Sequence, residues 1–268
     1  MNALDERSLN ILYQKEGAAM LVKMIVTDLD NTLLRRDKTI SAYTCDVFRR
    51  LHECGILIIV ATARNLMSSK DYRAAISPDG CILIGGCLVY ANRQLLKTHY
   101  LPEPQCSDLL AEFTAYPAIK RISARTIDTS YSNIPLEGRI CTDFKTPLPE
   151  RLLHCSCRTD DDALMQTIIP RYPELKFLRV SDEDLYDVNP KEATKLGGIN
   201  VLCEHFGIKL SEIAAFGDDF NDIEMLRGCG ISVAMSNAIK ECKAVAQHIC
   251  GDCDNDGVAR WLEENVLL

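Results

Sequence analysis

Met24-Ile25-Val26-Thr27-Asp28-Leu29-Asp30-Asn31-Thr32-Leu33-Leu34 runs from an apolar stretch straight into two carboxylates two residues apart. Successive hydrophobic residues of this kind predict a short buried strand. A carboxylate beside core residues is costly unless it is paired or bound to a metal. Two acids at the C-terminal end of such a strand therefore predict a site, because ligands of open α/β sheets gather outside the carboxyl ends of the strands. An acidic turn is the ordinary alternative.

Beyond this stretch, apolar runs alternate with helix-like segments: a helix near 41–53, a strand over 55–61, a helix near 66–76 and a strand over 81–84. The rhythm returns late in the chain, with strands over 213–216, 231–234 and 246–250 and helices over 194–206, 219–227 and 237–245. Runs that are apolar at consecutive positions suit parallel strands covered on both faces. A hairpin over 88–90 and 95–100 is expected to close this part. Residues 101–187 differ, with prolines at 102, 104, 117, 135, 147, 149, 170 and 173 and mixed polarity. The predicted fold is α/β: a Rossmann-like, doubly wound, mostly parallel core over 21–100 and 188–268, with an inserted α+β domain over 101–187. Residues 1–20 read as an N-terminal extension, with Met20 or Met24 as the expected native start.

With 268 residues, 47% apolar and 25% charged, the chain has the composition of a soluble globular protein. A net charge of −8 argues against binding a nucleic-acid backbone. A small anionic substrate remains compatible, because a few local cations or a metal override the overall sign. The longest apolar run, Ile56 to Ala61, is too short to span a bilayer, and the first twenty residues lack a secretory pattern. Thirteen scattered cysteines, an odd number, read as reduced thiols of a cytoplasmic protein. Cys155-x-Cys157 and Cys250-x-x-Cys253 are zinc half-sites without a second half. The sequence does not specify an oligomeric state.

Three further segments sit where chemistry would. In Val60-Ala61-Thr62-Ala63-Arg64, a hydroxyl follows a buried strand at the position Asp28 holds in its own unit. Such a threonine donates to a phosphate oxygen or caps a helix. Lys195 starts an apolar-periodic helix, where the macrodipole disfavours a cation unless an anion rewards it. A solvated lysine is the plain alternative. Phe216-Gly217-Asp218-Asp219-Phe220-Asn221-Asp222 again places acids after an apolar strand. Three carboxylates and an amide so close repel without a cation, and hard oxygen ligands of this kind suit Mg²⁺.

Together the four segments resemble the haloacid dehalogenase superfamily, specifically its Cof-type phosphatases, over nearly all of residues 22–264. Val233-Ala234-Met235-Ser236-Asn237-Ala238 and Asp256-Gly257-Val258-Ala259 extend the likeness. The resemblance implies that Asp28 is a nucleophile forming an aspartyl phosphate and Asp30 a general acid/base. It also implies that Mg²⁺ is held by Asp28, the Asp30 carbonyl and Asp218, supported by Asp222 and Asn221. Thr62 and Lys195, with Asn221 beside them, would bind the phosphoryl group. The inserted domain would act as a cap, and the implied substrates are small phosphate esters such as sugar phosphates, pyridoxal phosphate or flavin mononucleotide. A phosphomutase with the same nucleophile and a non-catalytic phospholigand sensor are the rival readings.

The departures from the family pattern are Asn31, Ala63 and Ser236 at positions where glycine is commoner, and Gly85-Gly86-Cys87 in place of an Asn-Gly-Ala triplet. The last of these removes a side chain near the expected phosphate. Asp252-x-Asp254-x-Asp256-Gly257, with Glu263 closing the spacing, also fits a calcium loop. The flanking segments read as a strand and a helix start rather than as a helix pair.

Overall fold

The computed structural model describes residues 12–15, 18–180 and 183–267. Most of the expected 1–20 extension therefore lies outside the described residues; within it, β1 (Leu12–Lys15) and β2 (Ala18–Leu21) pair antiparallel. Next come β3 (Met24–Thr27), α1 (Ala42–Glu53), β4 (Leu57–Ala61), α2 (Lys70–Ile76), β5 (Gly80–Leu83), β6 (Leu88–Ala91) and β7 (Gln94–Thr98). The middle contributes α3 (Gln105–Thr114), β8 (Arg121–Arg125), β9 (Ser130–Ser132), β10 (Ile140–Cys141), β11 (His154–Arg158), α4 (Asp162–Ile168), β12 (Leu175–Arg179) and β13 (Leu185–Pro190). The chain closes with α5 (Lys195–Phe206), β14 (Ile213–Gly217), α6 (Ile223–Gly228), β15 (Ile231–Ala234), α7 (Lys240–Val245), β16 (His248–Ile249) and α8 (Gly257–Asn265).

Two compact units result, one from the segments up to Lys97 and from Thr194 onward, the other from Thr98–Ala193. The second unit is wider than the 101–187 read from sequence. Residues 188–190 finish β13, which pairs with β11 and β12, and so they stay with that sheet.

The first unit is an eight-stranded sheet in the order β16-β15-β14-β3-β4-β5-β6-β7. From β16 to β5 every neighbouring pair is parallel, and β6 turns antiparallel against β5. Alternate residues feed each face. Met24, Val26, Ile59, Ile82 and Ala215 pack with Ile199 and Leu202 of α5 and Met225 of α6. On the opposite side Phe216 meets the edge of Trp261 from α8, with ring centroids 5.4 Å apart. Because both faces are covered, the strands read as continuous apolar runs. The strand order reverses about β3, between β14 and β4, which is the switch point where such sheets open a crevice.

The second unit is a six-stranded sheet in the order β10-β9-β8-β11-β13-β12, antiparallel except between β9 and β10. One face packs Ile122, Cys155, Cys157 and Val188 against Leu109 and Phe113 of α3 and Met165 and Ile168 of α4. Cys155 and Cys157 are thus core residues, and the described cysteines are free thiols. Burial pushes the Cys157 thiol up to about 12 and the Cys250 thiol likewise. Neither pair forms a metal cluster among the described residues.

The calcium-loop spacing is likewise not realised. Asp252 accepts from the Asn255 N–H at 3.0 Å, Asp254 pairs with Arg36 at 2.7 Å and Asp256 with Arg35 at 2.8 Å. These acids brace the start of α8 against the loop after β3 and do not converge on one point. Local bonding also trims the predicted helices. The helix expected from residue 66 starts at Lys70, because the Asn65 side chain takes the Ser68 N–H at 2.8 Å and holds a turn.

Candidate active site

Asp28 leaves β3 with its N–H donating to the Phe216 carbonyl at 3.1 Å, which ties it to the neighbouring strand β14. From the other side comes Lys195, the first residue of α5. Thr194 caps that helix, accepting the Gly197 N–H at 2.9 Å. Gly86 lies at φ +115°, where a Cβ would sit 2.4 Å from the Thr194 carbonyl oxygen and 2.5 Å from its nitrogen. Only glycine allows the helix start to seat against the turn that follows β5. Gly86, the position at which Gly85-Gly86-Cys87 and the Asn-Gly-Ala triplet agree, thus seats the helix start that carries Lys195.

The Lys195 side chain is fully buried, and its Nζ donates to Asp28 Oδ1 at 2.8 Å and to Asp222 Oδ1 at 2.5 Å. Asp222 reaches this position because Gly217 has no side chain: a Cβ there would lie 2.5 Å from both Cβ and Cγ of Asp222. The second Asp222 oxygen accepts the N–H groups of Asp218 at 2.9 Å and Asp219 at 3.1 Å. Asp222 therefore organises the acidic loop while anchoring the lysine. Asp28, Asp218 and Asp222 are all buried, and one oxygen of each lies within 4.8 Å of the others.

Burial dominates the electrostatics. It raises the Asp28 carboxyl to about 7, with Lys195 opposing and Asp222 reinforcing. Asp218 is raised to about 8 by burial and by the charges of Asp28 and Asp222, and the Thr32 hydroxyl, donating at 2.6 Å, partly offsets this. Burial alone would lower Lys195, but the Asp222 and Asp28 carboxylates outweigh it and hold the ammonium above its ordinary value. Three acids against one ammonium leave a formal charge of two negatives in a desolvated space. That is the balance a divalent cation restores, and the donors are hard oxygens. Asn221 strengthens the fit: its Oδ1 is buried without a hydrogen-bond partner among the described residues. The residues present fit Mg²⁺.

Asp30 sits apart from this cluster. The chain turns sharply after it, with Asn31 at φ 55° and the Asn31 carbonyl held by Asn237 Nδ2 at 2.7 Å. Its carboxylate takes Arg64 in a fork, with Nε and Nη2 both at 2.7 Å, and Lys38 at 2.9 Å. Burial would raise this group, but Arg64 and Lys38 overcome it and hold Asp30 below the usual carboxylate range. Thr62, buried at the end of β4, accepts the Arg64 N–H at 3.2 Å. It caps no helix, since α2 begins only at Lys70.

Thr32, Lys38, Arg64, Gly217 and Asn237 were not assigned roles from the sequence. Thr32 and Arg64 stand inside the motifs read there, two residues beyond Asp30 and Thr62, and that offset was the available signal.

The sequence profile of haloacid dehalogenase-like hydrolases matches residues 25–262. The chain belongs to this family. A Haemophilus influenzae relative of this hydrolase is 27% identical over 259 residues, covering 91% of this chain and 98% of its own. The HMP-PP phosphatase of Klebsiella pneumoniae is 26% identical over 258 residues, covering 90% and 95%. The solved structure of a phosphatase of the HAD enzyme superfamily from Bacteroides thetaiotaomicron shares the fold with a TM-score of 0.81 at 22% identity, covering 98% of each chain.

Proposed function

We propose that this hydrolase is a Mg²⁺-dependent phosphatase that cleaves small phosphate monoesters through a phosphoryl group carried on Asp28. The observation that carries the reading is the buried cluster in which Lys195 holds Asp28 at 2.8 Å beside Asp218 and Asp222. Asp28, the Asp30 carbonyl and Asp218 would hold the cation, with Asn221 in support. Both Asp222 oxygens are already bonded, so Asp222 acts through Lys195 and the loop. When bound, Mg²⁺ neutralises charge between a carboxylate and a phosphate dianion.

The remaining chemistry is assigned to the chain's own groups. An oxygen of Asp28 forms a bond to phosphorus as the ester P–O bond breaks, and Lys195 and Thr62 bind the phosphoryl oxygens. Asp30 gives its proton to the departing alkoxide, then takes one from the water that attacks phosphorus and releases phosphate. Arg64 and Lys38 keep Asp30 in its base form, so acting as an acid requires the carboxyl to leave Arg64 and take up a proton.

We infer that the unit at residues 98–193 supplies substrate selection, as a cap, and that the enzyme works in the cytoplasm. The panel to assay contains sugar phosphates, pyridoxal phosphate, flavin mononucleotide and the HMP-PP named for relatives. Mg²⁺-dependent release of inorganic phosphate from p-nitrophenyl phosphate, absent in Asp28→Asn, is the expected result. Unchanged turnover in Asp28→Asn refutes the nucleophile, and transfer of phosphate to product without release indicates a mutase.

A further inference from the structure

A cavity of about 630 Å³ opens in the first unit, between α2 and the strands β5 and β6. Cys81 of β5 and Tyr90 of β6 both line it, and they are directly opposed in the antiparallel pair, so they point to one face of the sheet. Arg73 and Ala74 of α2 wall it on the other side. Its far end is Arg93, in the turn after β6, where the Asn92 N–H donates to the Asp79 carbonyl at 2.8 Å and holds that turn beside the start of β5. Asp28 and Thr62 follow the C-terminal ends of β3 and β4. The cavity thus reaches toward the opposite edge of the sheet from the acidic cluster.

Three cations and one carboxylate line this space. Arg73 is half-buried and its direction is fixed, since Nε donates to the Ser69 hydroxyl at 3.1 Å and Nη2 to the Leu66 carbonyl at 2.8 Å. Burial pushes the Cys81 thiol up to about 11, and the Arg73 guanidinium bonded to it opposes the rise. Lys70 and Arg93 are exposed, and neither side chain has a hydrogen bond or ion pair among the described residues. The carboxylate, Asp79, is already engaged: its Oδ2 accepts the Ile58 N–H at 2.8 Å and lies 3.7 Å from His52 Nδ1. Asn92 and Arg93 have φ of 48° and 67°, a hairpin turn whose second place glycine usually fills. An arginine there accepts backbone strain and sets a cation at the cavity's rim.

Small-molecule sites commonly enclose about 300–1,000 Å³ and combine an apolar lining with a few placed polar groups. Here Leu66, Pro78 and the Tyr90 ring supply the apolar part. A tyrosine ring favours an aromatic partner in offset or edge geometry, and guanidinium forks match carboxylate and phosphoryl oxygens. In a chain of net charge −8 a cavity of this sign is set against the whole.

We propose that this cavity is a binding site for a small aromatic anion, its carboxylate or phosphoryl group held by Arg73, Lys70 and Arg93 and its ring against Tyr90. No group of the acidic cluster takes part, so the site stands independently of the phosphatase reading.

The test uses the full chain labelled with fluorotyrosine, in EDTA, titrated separately with benzoate, phenylphosphonate and inorganic phosphate. The readout is the fluorine NMR signal of Tyr90, identified by its loss in Tyr90→Phe. The expected result is a saturable shift with benzoate or phenylphosphonate, at lower concentration than with phosphate. Tighter benzoate marks a carboxylate ligand and tighter phenylphosphonate a phosphoryl one. Lys70→Gln and Arg93→Gln should each weaken the interaction by about threefold or more, the loss of one exposed charge-assisted contact. Ala74→Phe, which places a ring in the cavity, should abolish it, and Asp28→Asn should leave it unchanged. A Tyr90 signal that stays fixed with all three probes, equal affinity in the variants and the parent, or phosphate binding as tightly as phenylphosphonate overturns the proposal. Lys70→Gln and Arg93→Gln, both at exposed positions, carry the test should Ala74→Phe fail to fold.

Discussion

Replacing Lys195 by methionine removes the ammonium that two buried carboxylates share, at 2.8 Å from Asp28 and 2.5 Å from Asp222. Methionine keeps the length and the apolar stem, so the perturbation is almost purely electrostatic. Breaking a buried pair by deleting one partner costs roughly 3–5 kcal/mol, because the other charge stays desolvated. For a chain of this size each kcal/mol lowers the melting temperature by roughly 2–4 °C, which puts the expected drop at roughly 6–20 °C. Urea unfolding of the metal-free protein reads it. Trp261, the single tryptophan, packs on Phe216 of β14 and so reports the first unit. Adding Asp222→Asn should return part of the loss, since it removes one of the stranded charges. The loss should also shrink on lowering the pH to about 5.5, where Asp28 and Asp218, raised to about 7 and about 8, become neutral. A loss below about 1 kcal/mol, or one that Asp222→Asn does not reduce, would refute the account of Lys195 as the cluster's counter-ion.

Three other outcomes follow from the same geometry. Raised carboxyl pKa values stabilise the fold below the unfolded value and lose that contribution as pH rises through about 7 to 8. The metal-free protein should therefore melt at lower temperature between about pH 5 and 8, and Mg²⁺ should restore more at the upper end, as scanning calorimetry would show. Gly217→Ala should cost roughly 1–3 kcal/mol in urea unfolding, since its Cβ displaces Asp222, and should weaken Mg²⁺ stabilisation in thermal melts. Arg64→Met frees Asp30 from the group that holds it low, so the Asp30 limb of the pH profile of kcat/KM should move upward; an unmoved limb would separate Asp30 from that limb.

The sheet was legible because its strands are buried on both faces: Met24–Thr27, Leu57–Ala61 and Ile213–Gly217 each read as an unbroken apolar run. The candidate cluster was legible as acids and a hydroxyl at the ends of those runs, with Lys195 after the insertion. The pairings were not. Whether Asp222 turns to Lys195 and the loop amides, or Asp30 to Arg64, depends on side-chain directions set by Gly217 and by the Asn31 turn, and periodicity carries none of that information.

The Gly86 seat for Thr194 has a consequence for how such enzymes diversify. The chain re-enters the first unit at Thr194, and the residue that docks against the turn after β5 is also the one that begins the helix bearing Lys195. Lys195 is thus indexed by contacts wholly inside the first unit. Whatever sequence is spliced between positions 97 and 194 meets the contacts of Lys195 with Asp28 and Asp222 already set, so the insert can change without redrawing that cluster.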